Sequence, residues 1–288
     1  MHIATTSAGT QENTAMALYG GGLVAVWQDS QTFAFDDNRN EYGASFDIRM
    51  QRFGADGLLA GGEVTVNATT AGQQTDASVT GLADGGFLVV WTHAPVSGSS
   101  SVVAQRYDAT GARSGDELTL GSATAGSVTR PSVAALPDGG YVVSWTRLTT
   151  GTVSLDNHYD VVAWEAHPGT SGVLQTVDSS FPYVDTGDSS VAVLSDGSYV
   201  VSYRRVDSSG TSGVYQRAFY LNQAIDDPAP GGHVLTGGLG KDTVNGLDGN
   251  DTLSGGGGLA WDTLNGGDGD DLLLAKNGDT LIGGAGYD

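Results

Sequence analysis

Apolar and polar positions recur along most of the chain in a long-period pattern. Aligned on itself, the sequence gives "GGGLVAVWQ" from Gly20, "DGGFLVVWT" from Asp84, "DGGYVVSWT" from Asp138 and "DGSYVVSYR" from Asp196. Trp27, Trp91, Trp145 and Tyr203 fall 64, 54 and 58 residues apart. Each copy continues into a second matching run, "MQRFGADG", "AQRYDATG", "AWEAHPG" or "YQRAFYLN". The runs are short, rich in Val, Thr and aromatics, and bounded by Gly, Asp and Ser, which predicts strands and hairpins. In "FLVVW" both alternating sets of positions are apolar, so this strand is expected to be covered on both faces. Sheets packed radially, as propeller blades are, would supply that cover.

The first three units each read as four strands, closing in "GEVTVN", "DELTL" and "VLQTV", whereas the fourth runs into "QAIDDPAPGG" without an evident last strand. The amino-terminal "HIATTSAG" is similar to the unit ending "VNATTAG" at residues 66–72, and is expected to supply the missing strand and close a four-bladed ring. An open array, or part of a larger propeller, is the competing arrangement, because Met1 lies close to a repeat boundary. The repeated Trp and Tyr read as core and not as a sugar-stacking ring. The Asp-Gly pairs at 84, 138 and 196 read as hairpin turns without chemistry.

From Gly237 the beat shortens to nonapeptides: "GGLGKDTVN", "GLDGNDTLS", an irregular "GGGGLAWDTLN", "GGDGDDLLL", a shortened "AKNGDTLI" and "GGAGYD". These units closely resemble the haemolysin-type, or RTX, calcium-binding repeat. The Asp-Gly-Gly/Val/Trp units before them are similar to the propeller-like repeats found beside RTX tails in secreted bacterial proteins. The fold expected is therefore all-β: a four-repeat β-propeller-like domain over residues 1–225, followed by a parallel β-roll over residues 226–288.

Glycines let such a backbone turn tightly, and one large apolar residue per turn, Val244, Leu253, Leu264, Leu273 and Leu281, is expected to form a thin interior ladder. Loops eighteen residues apart become neighbours. Asp242 then stacks near Asp262 on one edge, and Asp251, Asp271 and Asp288 stack on the other. These carboxylates repel unless a cation lies between them, and Ca²⁺ suits an all-oxygen set better than Zn²⁺ or Mg²⁺. The metal-site residues expected are Gly237, Gly238, Gly240, Asp242, Gly246, Asp248, Gly249, Asp251, Asp262, Gly266, Gly267, Asp268, Gly269, Asp271, Gly283, Gly284, Gly286 and Asp288. Three departures qualify the pattern: 255–262 is two residues too long, 275–279 is one too short, and His233 stands where an Asp is expected. The alternative for so acidic a tail is a solvated linker, which phased glycines disfavour.

Composition sharpens these expectations. The chain has 288 residues, with 33 Asp and Glu against 12 Lys and Arg, a net charge of -21. Cations are the natural partners of such a chain, and nucleic acid is not. Cysteine is absent, which removes disulfides and thiolate chemistry, and no apolar run is long enough for a transmembrane helix. The five histidines show no tight ligand spacing and read as loop or surface residues. No nucleophile, phosphate-loop or dinucleotide signature is present, so no catalytic residue is assigned. The loop 29–47 carries Asp36, Asn38, Asn40 and Asp47 at EF-hand-like spacing, but Glu41 occupies the position that needs Gly. It reads as a solvated loop, with a second calcium site as the competing reading.

The resemblance implies a protein exported by type I secretion whose tail folds on Ca²⁺ outside the cell. Such proteins generally carry a carboxy-terminal export signal, and the sequence stops inside a repeat, so a longer parent protein is expected. The function expected is a secreted calcium-binding adhesive or structural module facing a cell-surface glycan or protein. The alternatives are the non-catalytic portion of a secreted protease, lipase or polysaccharide-acting enzyme, and, last, catalysis by the propeller itself.

Overall fold

The structure is a computed structural model that describes residues 10–30, 34–35, 41–42, 46–123, 126–149, 158–179, 185–206, 209–220, 222, 224–227, 229–238, 240–257 and 260–288. The segment His2–Gly9 proposed to close the ring, and Asp36, Asn38 and Asn40 of the EF-hand-like loop, lie outside the described residues. Among the described residues the fold is all-β, and no helix is long and apolar enough to cross a membrane. The chain forms two compact units, Met1–Ala192 with Val201–Arg217, and Val193–Val200 with Ala218–Asp288.

The repeats form successive sheets. The first contains β1 (Thr10–Tyr19) and β2 (Gly22–Ser30), passes through a small hairpin of β3 (Ala34–Phe35) and β4 (Glu41–Tyr42), and ends in β5 (Phe46–Gly54) and β6 (Val64–Thr65). The second is β7 (Gln73–Gly81), β8 (Phe87–Ala94), β9 (Ser101–Tyr107) and β10 (Leu118–Ser122). The third is β11 (Val128–Ala135), β12 (Tyr141–Thr149), β13 (His158–Ala166) and β14 (Val173–Ser179). The fourth shows β15 (Asp185–Val193), β16 (Tyr199–Val206) and β17 (Ser212–Phe219), three strands among the described residues. The three complete sheets run in chain order as antiparallel meanders.

The doubly apolar strand is covered on both sides. Phe87, Val89 and Trp91 of β8 pack into one core with Val24, Val26, Ile48 and Met50. Leu88 and Val90 face the other way, into a core with Val133, Val143 and Trp145. Trp27, Trp91, Trp145 and Tyr203 are all buried, in keeping with a core role. The Asp-Gly turns close these strands: Gly85 adopts a φ of 83°, and Asp84 accepts the Gly86 N–H at 3.0 Å.

One shared device was not visible in the sequence. The first strand of each of the four repeat sheets holds a non-glycine residue in the left-handed region: Asn13, Asp76, Arg130 and Asp188, with φ of 54–56°. In the first three sheets the residue sits at a register shift, so it is the extra residue of a bulge. Such a conformation costs about 1 kcal/mol or more, and side chains tie the bulges together. Gln28 accepts from Asn13 Nδ2 at 3.1 Å and from the Asp76 N–H at 3.2 Å, and Arg130 pairs with Asp188.

The roll is built of parallel strands in two sheets. One contains β18 (Ala224–Asp226), β20 (Thr243–Asp248), β22 (Thr263–Asp268) and β24 (Thr280–Ala285); the other contains β19 (Val234–Thr236), β21 (Thr252–Ser254) and β23 (Leu272–Leu274). Val244, Leu253 and Leu264 are fully buried between the sheets, with Ile225, Leu235 and Leu273 packed against them. Burial of each such side chain is worth about 1.5–3 kcal/mol, so this core is thin. The ladder differs from expectation at one end: Leu281 is 49% exposed because β24 has a strand neighbour on one side only, whereas Ile225 and Leu235 extend the ladder at the other end.

The Asp-Gly turn of the third repeat, at Asp138, carries a titratable clasp. Asp138 Oδ1 accepts the Gly140 N–H, Oδ2 meets His167 Nδ1 at 2.5 Å, and His167 Nε2 meets Glu165 at 2.9 Å. Partial burial works against a charged His167 ring, but Asp138 and Glu165 outweigh it and raise its pKa above 6.5. Burial likewise pushes Asp138 up, but His167 and the Gly140 amide bring it below 3.8. A raised folded pKa gives stability that is complete below the unfolded value and lost as pH rises through the folded one; a lowered one gives stability lost as pH falls. The melting temperature of the native chain should therefore exceed that of His167→Gln most between about pH 4 and 6.5. The gap should narrow as pH rises further, and a gap constant into the alkaline range would contradict the clasp.

Candidate metal centre

Each turn of the roll is joined to the next by a reciprocal clip. The Asp242 N–H donates to Asp262 Oδ1 at 2.9 Å, and the Thr263 N–H returns a bond to the Asp242 carbonyl at 2.8 Å. The same pair of bonds joins Asp251 to Asp271 and Leu272, at 2.8 Å each. Asp271 N–H to Asp288 Oδ1 at 3.1 Å and Asp262 N–H to Asp279 Oδ1 at 3.0 Å carry the pattern onward. The offset between clipped aspartates is 20 residues across the long loop and 17 across the short one, against 18 for His233 and Asp251. Strand register survives because the loops absorb the irregular lengths.

The carboxylates lie inside. Asp242, Asp251, Asp262 and Asp271 are between 0% and 6% exposed. Their place beside the loop glycines leaves no room for a Cβ: one added at Gly266 would collide with Asp271 Oδ2 and the Gly283 carbonyl. With one oxygen used in the clip, Asp251 Oδ2 and Asp271 Oδ2 are buried and have no hydrogen-bond partner. A buried carboxylate oxygen without a partner costs several kcal/mol, which a cation would relieve. The donors are carboxylate and carbonyl oxygens, the set that Ca²⁺ takes.

One step carries its own cation. Lys276 Nζ lies 3.0 Å from Asp262 Oδ2, 2.7 Å from the Gly257 carbonyl and 3.2 Å from the Gly256 carbonyl. An ammonium surrounded by three loop oxygens shows what charge this kind of pocket accepts. Here it satisfies an aspartate whose side chain is fully buried.

The residues expected from the sequence separate onto two edges. Gly237, Gly238, Gly240, Asp242 and Asp262 lie on one, where the Gly238 N–H donates to Asp242 Oδ2 at 2.6 Å. Gly246, Asp248, Gly249 and Asp251, then Gly266, Gly267, Asp268, Gly269 and Asp271, then Gly283, Gly284, Gly286 and Asp288 form three stacked loops on the other. Gly249, Gly269 and Gly286 repeat one positive φ of 141–152°. Asp248 and Asp268 pair in register at the exposed ends of their strands, away from the buried row. Asp47, from the EF-hand-like set, accepts from Asn67 Nδ2 at 2.7 Å.

Sequence reasoning missed Lys276 and also Asp227, which stands before the first glycine pair. No spacing rule points to Lys276; its role follows from the short loop that carries it.

The family of RTX calcium-binding nonapeptide repeats matches this tail, in four copies, over residues 234–259 and 262–282. The tail carries RTX calcium-binding repeats. No curated protein matches the chain. Among solved structures, the chain is similar to a protein of unknown function from Dyadobacter fermentans at 12% identity, with a TM-score of 0.51, covering 75% of this chain and 67% of that one. It is similar to the Penicillium chrysogenum α-L-arabinanase complexed with arabinobiose at 14% identity, TM-score 0.51, covering 72% and 62%. It is also similar to the Fusarium graminearum GH93 α-L-arabinofuranosidase in complex with arabinobiose at 11% identity, TM-score 0.50, covering 74% and 64%. The chain thus spans 62–67% of the length of these neighbours, and the likeness is one of fold. The propeller-like repeats and the RTX roll are the two parts of an all-β architecture.

Removing the Lys276 ammonium should open the step it fills. Lys276→Gly is expected to take up one more Ca²⁺ per chain than the native protein in calorimetric titration, because Asp262 Oδ2 and the Gly256 and Gly257 carbonyls then lose their ammonium partner. An unchanged stoichiometry would show that these oxygens do not form a calcium-competent set.

Proposed function

We propose that residues 226–288 form a calcium-dependent folding unit, with ions held between successive turns by Asp242 and Asp262, by Asp251 and Asp271, and by Asp271 and Asp288. Carbonyl oxygens of the loops around Gly237–Gly240, Gly246–Gly249, Gly266–Gly269 and Gly283–Gly286 complete each set. The observation that carries this reading is the row of buried carboxylates with unpartnered oxygens at Asp251 and Asp271. Without a cation the apolar ladder is too thin to offset their burial, so Ca²⁺ binding and folding are one event.

Asp271 and Asp279 separate a site from diffuse charge. Asp271 stands between Asp251 and Asp288 with an orphan oxygen, whereas both Asp279 oxygens accept amides, from Asp262 at 3.0 Å and Lys276 at 2.8 Å. In the intact chain, Asp271→Ala should lower calcium affinity and stoichiometry more than Asp279→Ala, read by calorimetry and by the calcium-induced gain in β circular dichroism. Equal effects would reduce the tail to a diffuse acidic segment.

Residues 1–225 act, on this reading, as an adhesive or structural binding module of a secreted protein, and the roll serves export and folding where calcium is plentiful. RTX repeats of this kind support an extracellular place and a type I route. The repeat region has two ordinary apolar cores and should hold its fold in chelator. Two of its structural neighbours were solved with arabinobiose, which makes arabinan a rational first glycan probe. Migration of the chain in native gels should be retarded by arabinan if its ligand is a polysaccharide of that class. Unretarded migration would remove that class, and release of sugar by the purified chain would favour the enzymatic alternative.

A further inference from the structure

The turn that opens the roll keeps the clip but changes the side chain. The His233 N–H donates to Asp251 Oδ1 at 2.8 Å and the Thr252 N–H returns to the His233 carbonyl at 2.8 Å, as at the aspartate turns. The imidazole then turns toward Asp227, with Nδ1 2.9 Å from Oδ2. One ring nitrogen of His233 and one oxygen each of Asp227 and Asp251 lie within 4.8 Å of one another. Asp227 is 6% exposed and Asp251 1%, while His233 remains partly open to solvent.

His167 marks the difference between a clasp and a pocket. Its two ring nitrogens face two different carboxylates, Asp138 and Glu165, so the ring separates them. At His233 the carboxylates and a ring nitrogen gather around one point instead.

We propose that Asp227, His233 and Asp251 form a binding site for a divalent transition cation of the zinc class, one turn before the Asp251–Asp271 calcium step and sharing Asp251 with it. Calcium takes about six to eight oxygens and gains little from imidazole, whereas zinc binds His nitrogen at about 2.0–2.1 Å and carboxylate oxygen at about 2.0–2.2 Å. Neighbouring ligand atoms on such an ion stand roughly 3.0–3.4 Å apart. The 2.9 Å between Nδ1 and Asp227 Oδ2 is close to that spacing, and the Asp251 oxygen closes in on binding. The ion takes the place of the proton between Nδ1 and Asp227, which is released. The Ala229 N–H, 3.1 Å from Asp227 Oδ1, steadies that carboxylate, and the backbone clip fixes the His233 main chain. Three protein ligands leave a position for water on the exposed side.

Asp227 and His233 belong to the zinc site alone, so zinc binding and calcium-dependent folding can fail separately. The test is a calorimetric Zn²⁺ titration of the full chain in excess Ca²⁺, with Co²⁺ visible absorption as a second readout and His2→Ala as the background for amino-terminal binding. One saturable equivalent is expected, with affinity falling at least about tenfold in His233→Ala and in Asp227→Asn. His233→Asp, which restores the carboxylate found at the later turns, should lose the Zn²⁺ site while its calcium-dependent circular dichroism is kept. Absence of saturable Zn²⁺ uptake, or uptake unchanged by His233→Ala or His233→Asp, overturns the proposal; loss of calcium binding alone would not.

Discussion

A row of buried carboxylates, Asp242, Asp251, Asp262 and Asp271, is the constraint around which the roll is arranged. An aspartate can enter the interior only if its oxygens find partners, and the clip supplies one amide to each from the turn before. At Asp251 and Asp271 the remaining oxygen has no such partner and needs charge, which leaves the backbone to come close and the side chains to stay small. The glycines follow from that crowding, since a Cβ at Gly266 would meet the very oxygen that has to face the cation. So does the thin core: a turn that spends its loops on charge has room for one large apolar side chain per strand.

The repeat sheets solve a different problem by different means. Their strands are held by area, with β8 buried on both faces by neighbouring sheets. The cost appears instead at the bulges, where Asn13 is held in the left-handed region by Gln28 of its own sheet, and Asp76, Arg130 and Asp188 by partners on adjoining sheets. Strain distributed at equivalent positions of every repeat is a property of the architecture, and the residue types are free to differ because the backbone does the repeating.

That freedom explains what the sequence made legible. Strands, hairpins and the doubly covered "FLVVW" were readable because burial selects residue type at fixed periods, and the roll was readable because glycine and aspartate are both forced there. The bulges were not, since Asn, Asp, Arg and Asp share no pattern that composition or period could detect. Lys276 was hidden for another reason: its ammonium lies on oxygens of the preceding turn, 14 to 20 residues away in the chain, and no period of the repeat points to it. His233 looked like a failed aspartate, and the carboxylates that give it meaning stand 6 and 18 residues away. Leu281 was misread as interior because periodicity says nothing about which turn lies at the edge of the stack.

The reciprocal clip also fixes how far a disturbance can travel. Among the described residues each turn bonds to the one before and the one after, through an amide given and a carbonyl or carboxylate received. The roll is in this respect a line of coupled states whose stability is approximately a sum of turn and nearest-neighbour terms. A damaged turn would divide it into shorter segments, each with its own equilibrium, and its order would spread from one end as a zipper closes.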